Sequence, residues 1–202
     1  MGRSALAIGG IGLIGAGVAI GLGWWWPSSA DAEARITEPI HTVRIDVPSS
    51  DVRIRTGDVS VTTVRQRFGY RGTHPGDAFR VEADRLVLTG CGERCSADFD
   101  VTVPRGTAVT GQSTSGEIRL EDTGPIDVRA TSGDVEITLR EPEDVRANVT
   151  SGEIRVTVPD VHYQVRGTSS SGERRIEVVD DPGAQRVLEL TTTSGDVQVR
   201  RK

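Results

Sequence analysis

Apolar and polar residues alternate through most of this chain. His41–Val47 (HTVRIDV), Asp51–Val61 (DVRIRTGDVSV), Phe79–Leu88 (FRVEADRLVL) and Asp98–Pro104 (DFDVTVP) each carry apolar side chains at alternate positions. A period of two marks a half-buried strand, because successive Cβ atoms point to opposite faces. Glycine and proline punctuate the runs, as turns require. No amphipathic helical pattern of ten or more residues follows position 27. The pattern predicts an all-β domain over 39–202.

From residue 113 onward the alternation becomes a repeat. The copies are TSGEIRL (114–120), TSGDVEI (131–137), TSGEIRV (150–156), SSGERRI (170–176) and TSGDVQV (193–199). Their glycines, Gly116, Gly133, Gly152, Gly172 and Gly195, are spaced by 17, 19, 20 and 23 residues. A weaker copy, RTGDVSV (55–61), adds Gly57. A second alternating strand separates the copies: PIDVRA (125–130), DVRANV (144–149), HYQVRG (162–167) and RVLELT (186–191). Self-similarity at about 20 residues is the mark of a stacked architecture. The prediction is a β-solenoid, a β-helix-like stack of short strands in which each unit is one rung. A β-sandwich, with the same strands paired as hairpins, is the alternative.

The turn chemistry follows from residue type. Ser and Thr before glycine form local side-chain-to-backbone hydrogen bonds, and glycine supplies positive φ without steric cost. The acid that follows is expected to stay solvated. Val135, Ile137 and Leu139, or Ile154, Val156 and Val158, then face the core, and Glu136, Thr138, Arg155 and Thr157 face out. Lys202 closes the last strand, so Arg200, Arg201 and Lys202 are expected to blunt the end of the stack by charge.

The N-terminus differs. Residues 5–26 (ALAIGGIGLIGAGVAIGLGWWW) hold no charge over 22 positions, enough to cross a bilayer as a helix. Trp24, Trp25 and Trp26 suit an interfacial belt, and Pro27 ends the run. Arg3 precedes the run, and Asp31 and Glu33 follow it, which predicts a cytoplasmic N-terminus and an exported remainder. Cleavage of a signal peptide near Ala30-Asp31-Ala32 is the alternative. The expected organisation is an anchor (1–26), a linker (27–38) and an extracytoplasmic β-repeat domain (39–202). Gly10, Gly12 and Gly15 match G-x-G-x-x-G, but no strand precedes them and no βαβ unit follows, so no dinucleotide site is expected. Gly15, Ala19 and Gly23 form a small-residue stripe that would admit a helix–helix partner in the membrane.

Composition narrows the chemistry. Hydrophobic residues make up 36% and aromatics 4%, which suits thin layers of Val, Ile and Leu. A net charge of −5 offers no global basic field for nucleic acid. Export makes a local disulfide of Cys91 and Cys95, in CGERC, the expected state. The three histidines, His41, His74 and His162, are scattered, so neither a zinc site nor a Ser-His-Asp set is expected. One carboxylate per rung, from Glu117, Asp134, Glu153, Glu173 and Asp196, falls short of the six to eight oxygens calcium takes. No cofactor, metal or catalytic residue is expected.

VTVPRG (101–106) followed by serial [ST]-S-G-[DE] units resembles the bacterial putative-adhesin family over roughly residues 40–200. The C-x3-C just before that segment is similar to what exported members carry. The resemblance implies a β-helical, extracytoplasmic domain and supplies no catalytic residues. The expectation is a membrane-anchored, non-enzymatic module at the cell surface, contacting an envelope polymer or a surface protein. The alternative is an accessory or sensor subunit of an envelope-stress or transport system, acting through a partner membrane protein.

Overall fold

The computed structural model describes residues 28–202. The apolar run 5–26, its tryptophans and its small-residue stripe lie outside the described residues. Among the described residues every regular element is a strand, and no helix is long and apolar enough to cross a membrane. In chain order the strands are β1 (Ser28–Ile36), β2 (Thr42–Ser49), β3 (Val52–Gly57), β4 (Thr62–Tyr70), β5 (Phe79–Glu82) and β6 (Arg85–Thr89). There follow β7 (Cys95–Pro104), β8 (Ala108–Ser115), β9 (Ile118–Glu121), β10 (Ile126–Ser132), β11 (Val135–Thr138) and β12 (Val145–Ser151). The last are β13 (Ile154–Val158), β14 (Gln164–Arg166), β15 (Ser169–Ser171), β16 (Arg174–Ile176), β17 (Val187–Ser194) and β18 (Val197–Arg201).

They form two sheets. Sheet A runs β1-β4-β7-β3-β9-β11-β13-β18-β16, and sheet B runs β5-β6-β2-β8-β10-β12-β17-β14, with β15 also on β17. Within the repeats every ladder is parallel, and the register places equivalent residues side by side. Ile118, Val135, Ile154 and Val197 align in sheet A. Val109, Ile126, Val145 and Leu188 align in sheet B. All eight are buried, so the core is a set of aliphatic rows between the sheets. Each such side chain contributes about 1.5–3 kcal/mol relative to exposure. Parallel stacking of successive units is the solenoid arrangement; a sandwich of repeat hairpins would need antiparallel ladders there.

Three expectations are corrected. Residues 28–36 are not linker: β1 pairs antiparallel with β4 from Ser28↔Tyr70 to Ile36↔Thr62. Its inward row is Ala30, Ala32, Ala34 and Ile36, of which Ile36 is buried. Second, the end of the stack is not the last repeat. Arg174–Ile176 pairs with Val197–Val199, which in turn pairs with Ile154–Val156, so the fourth copy lies outside the fifth. The reason is Arg174: it occupies the row of Ile118, Val135, Ile154 and Val197, and an interior rung would bury its charge unpaired. At the edge it stays exposed. An inward-row charge on an edge strand also discourages further strand addition, the task assigned above to Arg200, Arg201 and Lys202. Third, Gly57 is not a repeat turn. It ends β3, opposite Pro104, and an added Cβ would meet nothing closer than 3.6 Å. The turn glycine's place in that rung is held by Ser50, in PSSDVRI (48–54), whose carbonyl lies against Gly116.

Candidate functional site

The repeated T-S-G-acid motif forms columns along one edge of the stack. Ser49, Ser115, Ser132, Ser151, Ser194 and Ser171 stand in one column by register. The glycines stand in the next. A Cβ on Gly133 would lie 2.1 Å from the Gly116 carbonyl oxygen, one on Gly152 2.2 Å from that of Gly133, and one on Gly195 2.0 Å from that of Gly152. Gly172 sits in the same way on Gly195, at 2.1 Å, and Gly116 on Ser50, at 2.1 Å. All five glycines have positive φ, from +103° to +158°. The glycine is thus required twice, by backbone conformation and by the closeness of the rung beneath.

The acids form the third column, and they are not simply solvated. The Asp134 carboxylate accepts a hydrogen bond from the Glu153 backbone N–H at 2.9 Å and pairs with Arg155 at 3.3 Å. Asp51 accepts from Glu117 N–H at 2.9 Å, and Asp196 from Glu173 N–H at 2.8 Å. Asp98, ahead of the repeats, accepts from Asp51 N–H at 3.1 Å. Glutamates in this column fold instead onto the arginine two residues on: Glu117 on Arg119, Glu153 on Arg155 and Glu173 on Arg175. The shorter aspartate reaches the next rung's backbone, and the longer glutamate reaches along its own strand. Among the described residues these acids gather into no metal-ligand group. The histidines stay apart: His41 faces Asp84 at 3.6 Å, His74 stacks edge-on against Phe68 and Tyr70, and His162 lies 3.2 Å from Asp181. The Asp181 carboxyl is held below its ordinary value first by the Gly183 N–H and then by His162.

The outward rows carry the rest of the chemistry. Sheet A bears a network of arginine–carboxylate pairs, including Arg55–Asp100 at 3.1 Å and Arg119–Glu136 at 3.2 Å. Beside it, β1 and β4 complete a basin of about 570 Å³, walled by Asp31, Glu33, Arg65 and Arg67 on one side and by Asp51, Arg53 and Arg119 on the other. Arg65 hydrogen-bonds Glu33 at 2.9 Å and holds its carboxyl below the usual glutamate range. The linker expectation for residues 27–38 hid this wall. The signal was present, since ADAEARI alternates in period two, but alanine is a faint apolar mark. Sheet B has a different groove, of about 410 Å³, lined by Thr114, Thr131, Thr150, Thr193, Gln112 and Asn148 among others.

Cys91 and Cys95 are joined, with Cα atoms 5.7 Å apart. The bridge closes the β6–β7 turn, in which Gly92 and Arg94 take positive φ. Gly111 and Gly167, outside the repeat motif, fill a similar role to the turn glycines inside sheet B: a Cβ on either would lie 1.9 Å from a carbonyl oxygen of the neighbouring rung, that of Ile45 or Leu190.

Two sheets, parallel through the repeats, stacked rung on rung and joined by a glycine-lined edge, define an all-β solenoid-like domain. Residues 37–202 match the model of the Toastrack DUF4097 family, and the chain belongs to that family. The fold is also similar to the crystal structure of a putative cell adhesion protein from Clostridium sporogenes, with a TM-score of 0.61 at 12% identity, covering 88% of this chain and 100% of that one. Curated proteins give no sequence match. The strand β1 lies ahead of the family block, which begins at Thr37.

Proposed function

We propose that the chain is a non-enzymatic binding module displayed on the outside of a cell membrane, held there by residues 5–26, and contacting an envelope polymer or a surface protein. The observation that carries this is the division of labour in the repeat. Its acids and glycines are consumed in holding rung to rung, while the two outward faces present regular rows of polar side chains on a rigid frame. Extended stacked faces suit contact with extended partners. The adhesion title of the Clostridium protein agrees with this reading. Retention at the membrane, rather than cleavage, is supported by β1: Ala30-Asp31-Ala32 lies mid-strand, and a cut there would break its pairing with β4.

The test is capture by the full chain in detergent micelles, presented to cell-wall fractions and to membrane extracts. Retention of a wall polymer or a surface protein supports the reading; retention of neither refutes it. One observation favours the accessory or sensor alternative. The folded domain begins two residues after Trp26, leaving little slack between the apolar segment and β1. Replacing Gly15, Ala19 and Gly23 with leucine is expected to abolish crosslinking to a membrane partner if that alternative holds.

A further inference from the structure

We propose that the charge-poor part of the sheet B outer face is a docking groove for a neutral polysaccharide strand lying along the stack axis. This rests on the binding-module reading above and names the ligand class and the face. Two columns of side chains build the groove. Thr114, Thr131, Thr150 and Thr193 form the first, each on a successive rung between paired residues of β8, β10, β12 and β17. All four are exposed. Gln112, Arg129, Asn148 and Thr191 form the second, aligned residue for residue.

The chemistry of this grid sets it apart from its surroundings. No carboxylate lines the groove, and Arg129 is its one charged side chain, with Asp127 3.8 Å away. The next row on the same sheet is charged again: Asp127, Arg146 and Glu189 stand side by side, with Arg146 bonded to Glu189 at 2.9 Å. Sheet A is likewise laced with ion pairs. A surface of hydroxyls and amides with a single arginine, itself facing Asp127, selects against nucleic acid and against polyanions, which need clustered cations. Its donors and acceptors match the hydroxyl groups of a sugar.

Geometry gives the direction. Neighbouring rungs lie about 4.8 Å apart, so the four threonines present hydroxyls at regular intervals over roughly 14 Å. A linear sugar polymer laid along the axis meets one rung after another. The groove offers hydrogen bonds rather than aromatic stacking, so each sugar contributes weakly and affinity must accumulate with length.

The experiment uses the full chain in detergent micelles and titrates β-1,4-linked glucose and N-acetylglucosamine oligomers from two to six units, by calorimetry. The expected result is that at least one hexamer binds tenfold or more tighter than its dimer. The double substitution Thr131→Glu, Thr150→Glu, and separately Gln112→Ala with Asn148→Ala, should each weaken the hexamer about tenfold or more while leaving Tm within a few degrees. Glu136→Gln, on sheet A, should change nothing. The proposal is overturned if neither hexamer binds, if dimer and hexamer bind alike, or if both groove variants bind as the parent does. Wall-fraction or surface-protein capture that survives the groove variants overturns this inference and leaves the binding-module reading standing; loss of all capture by the parent chain removes both.

Discussion

The three central rungs and the two ends of the stack obey different rules. Between Ala108 and Val158 each rung follows its predecessor in the chain, with valine, isoleucine or leucine at most inward positions and a glycine turn between the sheets. At the ends, chain order and stack order part company. β7 lies outside β3, β16 lies outside β18, and antiparallel strands close the end where β1, β4 and β5 sit. A repeat specifies how one unit meets the next but carries no instruction to stop. Stopping needs residues that fit poorly inside: Arg174 in a core row at one end, and the alanine row of β1 at the other.

The sharpest way to break this comparison is to place a side chain on a central and on a peripheral glycine. Gly133→Val should cost about 4 kcal/mol or more in urea unfolding, because a β-branched residue must adopt positive φ and its Cβ collides with the Gly116 carbonyl. Gly57→Ala should stay within about 0.5 kcal/mol. Equal losses would mean that the glycine column has no special role. Cys91→Ser with Cys95→Ser comes next. The closed loop is short, so the loss should fall below about 3 kcal/mol. Hydrogen exchange should quicken around β6 and β7 while the central rungs keep their protection.

Asp134→Ala should cost about 1 kcal/mol, since it removes an acceptor from the Glu153 N–H. Asp134→Asn should cost less, because its amide oxygen can still accept. A matching pair of Tm values for the two variants would show that the hydrogen bond contributes nothing. The smallest effect is pH-dependent and belongs to the end. Glu33 is held below its ordinary value of 4.5 chiefly by its hydrogen bond from Arg65. A carboxyl lowered in the folded state stabilises fully above its unfolded value and loses that contribution as pH falls through its folded value. Protection of β1 against hydrogen exchange should therefore decline below about pH 4.5 and be restored on neutralisation; Glu33→Gln should remove that dependence.

The strands of the central rungs were legible because period two and the 17- and 19-residue spacings agree there. The disulfide, too, was legible. The sequence hid what depends on who neighbours whom. Order along the chain is a good guide to order in the stack only while every copy fits the interior, and SSGERRI signalled its exception through Arg174. The role of Asp134 was hidden for a related reason: its partner is 19 residues away, on the next rung. The columns on sheet B were equally invisible, since Thr114, Thr131, Thr150 and Thr193 become neighbours through register alone.

The displaced fourth copy has a consequence for how the chain is made. Gln164–Arg166 and Arg174–Ile176 take their strand partners from residues 187–201, which are synthesised after them. The β14–β16 rung therefore has its native strand partners only once β17 and β18 lie between it and the β12–β13 rung. Stack order follows the chain from Ala108 through Val158 and then skips one rung. Removing residues 187–202 would strand two rungs rather than one, baring the β12–β13 face and leaving β14–β16 without strand partners.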